Sequence, residues 1–431
     1  MDIIIVGAGA AGLMAAKKLS GAGFKVCVLE ARNRMGGRIY TIDDHQLAIP
    51  VEGGAEFIHG NLEVTFDLLK EAGIDKQEIK GEVWQVRDGR WSLENDFFAN
   101  AELVIKHLKA LKEDISIAEF IKQFFAEDKY RNLRKSLISY IEGYYSGQTE
   151  RMSAKAFLKE WLNEDEQQYR PADGYGKMID YLAESCKKVG TIIQLSTVVK
   201  EIRWRKGYVE VIDDRQNRFA AFKALITVPL GVWLAEENTK GAILYSPAIT
   251  VKAEAAKQMG FGCVIKILLE FKEIFWEDDT IKNQIKINTA NFQFILSDLS
   301  IPTWWTQLPQ HKPLLIGWLS GPEAEKMKNE KDEVIMLKAL DSLSSIFKTE
   351  SHILREKLKW WKVVNWANDP FALGSYSYSA METADARKVV MEPVENTLFF
   401  AGEALYEGPE TGTVEAALTS GLKAASKILT A

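Results

Sequence analysis

The chain has 431 residues, of which 47% are hydrophobic and 26% are charged, with a formal net charge of −6. This is the composition of a globular protein, and the length favours two domains over a single core. The sequence has no basic run typical of nucleic-acid binding, no uninterrupted apolar stretch long enough for a membrane span and no cationic segment typical of a signal peptide, so we expect no nucleic-acid partner, no membrane and a cytoplasmic protein.

The first thirty residues predict a strand, a helix and a second strand. The apolar stretches 2–6 and 25–29 each have the length of a buried strand, and the segment 10–19 between them has a helical pattern. Glu30 stands at the end of the second strand. In a dinucleotide-binding fold, a carboxylate at this place accepts hydrogen bonds from the adenosine ribose.

Three glycines with the spacing GxGxxG join the first strand to the helix. Gly7 permits the tight turn, Gly9 lets the backbone approach a pyrophosphate, and Gly12 lets the helix pack on the strand. The N–H groups of the first helical turn, which includes Ala11, and the positive end of the helix dipole favour a pyrophosphate there. Because the motif has the strand–helix context that it requires, it predicts a dinucleotide fold rather than an ordinary glycine-rich turn.

A second glycine pair follows the ribose carboxylate and indicates which dinucleotide is bound. Arg32 is followed by RMGGR, in which Gly37 would let the backbone pass close to a flavin and Arg38 would face the pyrophosphate or the ring. This element resembles the FAD-binding signature of the flavin-containing amine oxidases. A nicotinamide-dependent dehydrogenase has no need of it.

The resemblance to the flavin amine oxidase family extends along nearly the whole chain. The further segments that resemble family motifs, in the family order, are 51–60, 195–202, 224–233, 364–379 and 398–425. Five ordered motifs are highly specific. The branch that contains the polyamine oxidases and the flavin histone demethylases is the most similar.

The resemblance implies which residues contact FAD. By their places in these motifs they are Gly54, Ala55, Glu56, Phe57, Val198, Trp366, Gly402, Glu403, Thr413 and Val414. A helix is expected over about 413–429, and its amino terminus would direct N–H groups at the flavin edge that becomes negative on reduction. Without the resemblance, the same residues equally suit a capped surface helix.

Lys266 interrupts an otherwise apolar strand pattern. A strand this apolar is expected to be buried on both faces, so the lysine either extends to solvent or has a task. The strand alone favours extension to solvent. The family resemblance aligns Lys266 with the lysine that holds a water beside flavin N5 and assists reoxidation of the flavin by oxygen, and this is the role that we expect.

The resemblance also implies residues that face the substrate. Tyr376 would form one aromatic wall for an amine, and Thr413 stands where monoamine oxidases place a second tyrosine. His59 resembles a histidine that faces the substrate in animal polyamine oxidases, although a lone histidine is more often a packing residue. Ser375 replaces the cysteine that tethers flavin in monoamine oxidases, so we expect non-covalent FAD.

The segment 95–170 has helical periodicity and is expected to form the helical part of a substrate domain. A long cation would need carboxylates along its path. The candidates are Glu142 and the acidic run Glu164, Asp165 and Glu166, although such a run is usually a solvated face.

The predicted architecture is α/β with two domains. A Rossmann-like FAD-binding domain would take 1–80, 190–245 and 375–431, and a mixed-sheet and helical substrate-binding domain would take 81–189 and 246–374. The site would lie at their junction, where ligand clefts are common. The three cysteines have neither a metal spacing nor a disulfide pattern, so no metal is expected.

The predicted function is FAD-dependent amine oxidation, with a polyamine as the favoured substrate. Hydride passes from the α-carbon of a neutral amine to flavin N5, oxygen reoxidises the flavin to give hydrogen peroxide, and water converts the imine to an aldehyde. Because the reacting amine must be neutral, we expect a rate that rises with pH.

Two alternatives stay open. An L-amino acid oxidase would need an arginine for the substrate carboxylate, and the candidates are Arg170, Arg203 and Arg205. A partner-binding protein that keeps FAD for structure is the other alternative, although the chain shows no basic face for nucleosomes. The sequence does not indicate the oligomeric state.

Overall fold

The computed structural model describes residues 1–94, 100–163 and 167–431. The fold is mixed α/β, with a five-stranded parallel sheet that includes the first strand of the chain and a larger mixed sheet formed by the middle of the chain. The predicted acidic run, Glu164, Asp165 and Glu166, lies outside the described residues. In the described ranges, no helix has the length and apolar character needed to cross a membrane.

The parallel sheet collects strands from widely separated parts of the sequence. Its strands, in spatial order, are Ile192–Gln194, Val26–Leu29, Ile3–Val6, Lys223–Ile226 and Leu398–Phe400. All four pairs are parallel, and apolar side chains on both faces are buried, as expected for a sheet that is covered on both sides.

Helices cover one face of this sheet and a second sheet lies near the other. The covering helices are Ala10–Gly21, Tyr175–Lys188 and Val414–Thr430. The strands of the second sheet, in spatial order, are Arg218–Ala221, Tyr208–Asp213, Val199–Arg205 and Leu244–Ser246. The helices that share its core are Leu230–Trp233, Thr250–Gln258 and Thr383–Met391. Together these layers hold the amino-terminal glycines against a rigid core.

The mixed sheet has seven strands. In spatial order they are Leu358–Asn365, Val264–Phe271, Leu314–Ser320, Thr303–Trp305, Phe292–Ser297, Glu82–Arg87 and Arg90–Glu94. One face packs on a core that includes the long helix Asp332–Phe347, and Lys266 lies in the second strand of this order, whose eight residues are all buried. The other helices of this part are Asp279–Ile285, Gly321–Met327 and Ser351–Lys357.

The predicted helical part of the chain is present and has its own core. Its helices are Ala101–Lys109, Ile117–Phe124, Arg131–Gly143 and Ala154–Trp161. The remaining elements are the helix Glu63–Ala72, a three-stranded sheet of Ile58–His59, Gln168–Pro171 and Lys76–Glu78, and the strand pairs Thr41–Ile42 with Val51–Glu52 and Gly260–Phe261 with Ser377–Tyr378. Short 3-10 turns lie at Asp128–Tyr130, Phe275–Glu277 and Glu403–Leu405.

The element boundaries differ slightly from the predicted ones. The first helix continues past residue 19 and ends at Gly21, and the second strand begins at Val26 rather than at residue 25. The last helix begins at Val414, because Thr413 is its capping residue, and it ends at Thr430.

Candidate active site

One large cavity, here called the central cavity, brings the predicted site residues together. Its volume is about 1680 Å³. Pockets for drug-sized ligands have roughly 300–1,000 Å³, so this cavity has room for a dinucleotide and a second small molecule. The predicted residues that line it are Gly7, Gly9, Ala11, Glu30, Arg32, Gly37, Arg38, Gly54, Ala55, Glu56, Phe57, His59, Val198, Lys266, Trp366, Tyr376, Gly402, Glu403, Thr413 and Val414.

The predicted residue that does not line the cavity is Gly12, which faces the first strand. A Cβ atom on Gly12 would lie 2.0 Å from the carbonyl oxygen of Gly7, so no other residue fits there without moving backbone. Gly7 itself has a φ of 109°, a conformation that side chains other than glycine disfavour. The turn therefore has the shape that the GxGxxG pattern predicts, and its surface toward the cavity is bare backbone.

The amino terminus of the first helix and the side chain of Glu30 complete a dinucleotide cradle. No side chain caps that helix, so the N–H groups of its first turn are available to an anion. The buried carboxylate of Glu30 accepts hydrogen bonds from the N–H groups of Ala8, at 2.8 Å, and Arg32, at 2.9 Å. Val198 is buried beside it on the cavity wall. These residues fit the adenosine half of FAD.

An ion pair joins the glycine-rich segment to the end of the chain. Arg38 Nη1 lies 2.7 Å from Glu403 Oε1 and also donates to the carbonyl of Ser375. Glu403 accepts further hydrogen bonds from the N–H and the hydroxyl of Ser377, at 3.0 and 2.5 Å. Arg38 is thus held on the cavity wall, in a place that suits a pyrophosphate or a flavin.

The last helix points its amino terminus into the central cavity. The Thr413 hydroxyl accepts a hydrogen bond from the N–H of Ala416, at 3.2 Å, and donates one to the carbonyl of Glu410, at 2.6 Å. Val414 and Leu418 are buried, so this is not a capped surface helix. Its positive dipole end can therefore act on a ligand in the cavity.

Lys266 does not extend to solvent. The residue is 1% exposed, and its ammonium lies 2.6 Å from Glu56 Oε2 and 3.2 Å from the carbonyl oxygen of Gly54. The ring of Trp305 lies beside it, with 5.3 Å between Nζ and the ring centroid. The alternative of a lysine that reaches water is therefore wrong, and Lys266 is a buried charge on the cavity wall.

Glu56 is the centre of a buried charge cluster that the sequence did not reveal. Its Oε1 accepts hydrogen bonds from Arg170 Nε at 3.0 Å, Trp305 Nε1 at 3.0 Å and Gln307 Nε2 at 3.4 Å. Burial raises the pKa of Glu56, but Lys266 and Arg170 outweigh it and hold that pKa below its usual value. The carboxylate is therefore ionised at neutral pH.

A second buried carboxylate, Glu52, lies close to this cluster. Its Oε1 accepts hydrogen bonds from the Thr41 hydroxyl, at 2.8 Å, and the Tyr175 N–H, at 2.7 Å, while Oε2 has no partner among the described residues. Burial raises the pKa of Glu52 to about 7, against the lowering effect of these hydrogen bonds and of Lys266. Glu52 can therefore change its charge near neutral pH.

Aromatic side chains form the wall on which Tyr376 lies. The Tyr376 hydroxyl donates to the carbonyl of Tyr144 at 2.5 Å, and its ring stacks on that of Trp318 with 6.4 Å between centroids. His59 Nδ1 lies 3.4 Å from the hydroxyl of Tyr144. Burial lowers the pKa of His59 to about 4, so the imidazole is neutral.

Tyr144 and Trp318 are cavity residues that sequence reasoning missed. Tyr144 directly follows the helix Arg131–Gly143. The sequence shows it as part of a helical pattern, which does not indicate that its side chain faces a cavity.

Carboxylates also line the central cavity. Glu142 and Glu323 are among them. Burial raises the pKa of Glu142 to about 7, with smaller contributions from the charges of Glu150 and Glu323. The predicted candidate Glu142 is thus a cavity residue whose charge can change near neutral pH.

An amino acid oxidase would need an arginine for the substrate carboxylate, and none of the three candidates, Arg170, Arg203 and Arg205, lines the central cavity. Arg170 donates to Glu56 and to the carbonyls of Leu308 and Thr306. Arg203 and Arg205 are exposed on the strand Val199–Arg205. The geometry thus places none of the three where it could hold a substrate carboxylate.

Comparison with known proteins identifies the family of this chain. The model of the family described as "Flavin containing amine oxidoreductase" matches residues 10–91 and 85–429. The chain belongs to this family. Its cofactor is therefore FAD, for which the cradle described above has the required glycines, carboxylate and helix termini.

Curated relatives in two groups match this flavin amine oxidoreductase. It is 27% identical to Lysine-specific histone demethylase 2 of Homo sapiens, over 99% of this chain and 53% of the relative. It is 28% identical to Polyamine oxidase 3 of Oryza sativa subsp. japonica, over 98% of this chain and 88% of the relative. The chain thus spans about half of the length of the demethylase and most of the polyamine oxidase.

Solved structures of amine oxidases share the fold. A putrescine oxidase with bound putrescine has a TM-score of 0.79 at 18% identity, over 100% of this chain and 99% of that chain. Cyclohexylamine oxidase from Brevibacterium oxydans IH-35A has a TM-score of 0.78 at 18% identity, over 99% of this chain and 98% of that chain. These likenesses confirm the predicted two-domain α/β fold.

Proposed function

We propose that the protein is an FAD-dependent polyamine oxidase that uses oxygen as electron acceptor and yields hydrogen peroxide and an aldehyde. The observation that carries the proposal is that one cavity extends from the glycine cradle to an aromatic wall and to carboxylates. A polyamine is a long cation, so it needs contacts of this kind along its length. A cytoplasmic location is part of the proposal.

When bound, FAD supplies the acceptor for the hydride that leaves the α-carbon of the amine. The protein binds and orients the substrate. In our proposal, Tyr376 provides an aromatic face for the amine, the neutral His59 provides a hydrogen-bonding group beside it, and Glu142 attracts a distal ammonium. Lys266 keeps a positive charge at the cavity wall, which favours negative charge on the reduced cofactor and so assists the reaction with oxygen.

We propose that FAD is held without a covalent bond. Ser375 donates its hydroxyl to the carbonyl of Gly262 at 3.0 Å and offers no thiol. Among the described residues, none of Cys27, Cys186 and Cys263 lines the central cavity. Denaturation should therefore release all of the FAD into the supernatant, whereas a flavin that stays with the precipitated protein would contradict this part of the proposal.

The visible spectrum of the purified protein under anaerobic conditions tests the function. We expect flavin bands that bleach when spermine or spermidine is added and that return when oxygen is admitted. Bands that persist with polyamines but bleach with an L-amino acid would favour the amino acid oxidase alternative. Flavin bands that none of the tested amines bleaches would favour a partner-binding protein. A protein that takes up no FAD would overturn the proposal entirely.

A further inference from the structure

The charge cluster beside the central cavity is organised asymmetrically. Glu56 uses Oε2 for Lys266, at 2.6 Å, and uses Oε1 for side chains of Arg170, Trp305 and Gln307. Because these three donors hold Oε1, the carboxylate keeps its place without help from Lys266. Lys266 depends more on this contact, since Glu56 is the carboxylate with which it pairs in the described part of the chain and its hydrogen bond to the Gly54 carbonyl is longer, at 3.2 Å.

Arg170 is committed to holding this carboxylate. Besides Glu56, its guanidinium donates to the carbonyls of Leu308, at 2.9 Å, and Thr306, at 3.1 Å, and it lies over the ring of Phe57 with 4.8 Å to the centroid. Arg170 does not line the cavity, whereas Glu56 and Lys266 do. Arg170 therefore holds Glu56 in place, and Glu56 in turn holds Lys266.

We propose that Glu56 is a positioning residue that keeps Lys266 charged and fixed at the cavity wall, so that bound FAD meets a permanent ammonium. A buried ammonium without a counter-ion loses its proton more readily, and without Glu56 the charges of Lys266 and Arg170 would also repel each other. The proposal rests on the proposed function only in requiring that FAD occupies the cavity.

The charges of the cluster give a quantitative expectation. Lys266, Arg170 and Glu56 together carry a net charge of plus one. Replacing Glu56 by glutamine removes one negative charge, and loss of the Lys266 proton then removes one positive charge. Glu52 also interacts with Lys266 and Glu56, and its pKa of about 7 lies between the two pH values of the test. Every protein compared below, including the one called the wild type, therefore carries Glu52→Gln.

The test measures the midpoint reduction potential of bound FAD, by equilibration with a reference dye and without amine, at pH 6 and pH 9. Glu56→Gln is expected to raise the potential above that of the wild type at pH 6, where Lys266 keeps its proton, and to return it to the wild-type value at pH 9. Glu56→Asp, which keeps the negative charge, is expected to differ from the wild type by the same amount at both pH values.

Further variants separate positioning from a structural role. In a Lys266→Met background, adding Glu56→Gln should shift the potential equally at both pH values, because the titrating group is gone. Glu270→Gln is the matched control, since Glu270 is a buried carboxylate on the strand of Lys266 that pairs with Lys359 at 2.7 Å and does not line the cavity. It should leave the potential unchanged.

The proposal is overturned if Glu56→Gln differs from the wild type equally at both pH values, or if its pH-dependent difference survives in the Lys266→Met background. Should Glu56→Gln fail to fold, the double variant Glu56→Gln/Arg170→Gln decides, because it leaves no unpaired guanidinium. Its potential should equal that of the wild type at pH 6 and fall below it at pH 9, and a constant difference would contradict the proposal.

The two proposals fail in different ways. A protein that binds FAD, shows the expected pH-dependent difference and is not reduced by any amine would leave the role of Glu56 standing and overturn the proposed function. A protein that polyamines reduce, but in which Glu56→Gln shows no pH-dependent difference, would do the reverse.

Discussion

The guanidinium of Arg38 and the carboxylate of Glu403 form an ion pair, with 2.7 Å between Nη1 and Oε1, across 365 residues of chain. Both side chains lie on the wall of the central cavity. The second glycine-rich segment and the turn after the last strand therefore hold each other at the place where FAD is expected.

Replacing Glu403 by glutamine should weaken FAD binding. The glutamine keeps an oxygen for Ser377 but loses the charge that holds Arg38, and a hydrogen bond between charged groups contributes roughly 1.5–3 kcal/mol. We expect a rise of about tenfold or more in the dissociation constant of FAD, measured by flavin fluorescence. Glu407→Gln, an exposed change in the same turn, is the control, and equal affinities for the two variants would contradict the prediction.

Two glycines of the first helix should respond oppositely to alanine. In Gly12→Ala the new Cβ would lie 2.0 Å from the Gly7 carbonyl oxygen, so we expect severe destabilisation, by more than about 3 kcal/mol, and loss of FAD. Gly21→Ala, whose Cβ meets nothing within 4 Å, should instead stabilise by a few tenths to about 1 kcal/mol. Urea unfolding of both variants measures this, and a tolerated Gly12→Ala would show that the turn has another shape.

The buried carboxyl of Glu52 should make stability depend on pH. Its pKa is raised from 4.5 to about 7, chiefly by burial, so the folded state holds this proton more tightly than the unfolded state does. The stability that Glu52 contributes is then present below pH 4.5 and is lost as the pH rises through 7, by up to about 3 kcal/mol.

Glu52→Gln removes this dependence and should be more stable than the wild type at pH 8. Urea unfolding at pH 5 and pH 8 measures the effect as the difference between the two proteins. Glu254→Gln, which alters an exposed carboxylate, should behave like the wild type at both pH values. A wild type and a Glu52→Gln variant with parallel pH curves would show that Glu52 is ionised throughout.

Glu142 should make polyamine binding depend on pH. Its pKa is raised to about 7, first by burial and then by Glu150 and Glu323, so its carboxylate is mostly ionised only above that pH. The KM for spermine should fall as the pH rises from 6 to 8. In Glu142→Gln we expect a smaller fall, because only the deprotonation of the amine remains, and a KM at pH 8 that is about tenfold higher, because a charged hydrogen bond is lost. An equally steep fall in the variant and the wild type would assign the effect to another group.

Substitutions of two buried lysines should have different effects, one on the reoxidation of the flavin and the other on the stability of the protein. Lys266→Met is expected to slow the reaction of the reduced flavin with oxygen by at least about tenfold, because it removes the positive charge that stabilises negative charge on the reduced cofactor. Stopped-flow reoxidation of the photoreduced protein measures this rate.

Lys252→Met is the control for the lysine at the flavin. Lys252 is also buried, but it donates to the carbonyls of Val389 and Val390 and lies outside the central cavity. We expect this change to cost about 1–3 kcal/mol of stability and to leave reoxidation unchanged. Equal reoxidation rates in both lysine variants would remove the role given to Lys266.

The cofactor half of the site could be predicted because its information is local. The turn at Gly7 and the carboxylate of Glu30 follow from spacing along thirty residues, and a strand–helix–strand context fixes where each one points. The last helix was placed to within one residue at each end, because Thr413 is a good capping residue and the apolar pattern continues to its end.

The charge cluster could not be predicted because its members are distant in sequence. Glu56 and Lys266 are 210 residues apart and Glu56 and Arg170 are 114 residues apart. Each one alone looks like an ordinary charged residue, and only tertiary structure shows that their charges compensate one another in the interior. Tyr144 was missed for a different reason, since helical periodicity indicates burial and not which buried residues face a cavity.

The strand order of the parallel sheet has a consequence for protein synthesis. Leu398–Phe400 pairs with Lys223–Ile226, which is made about 170 residues earlier. Strands of the mixed sheet lie between the two in the sequence. Until that last strand leaves the ribosome, an apolar strand has one open edge, and Arg38 has no carboxylate partner. This edge is therefore open to pairing with other strands while the residues between the two strands are made, and the wall of the FAD site is complete only after the last strand has paired.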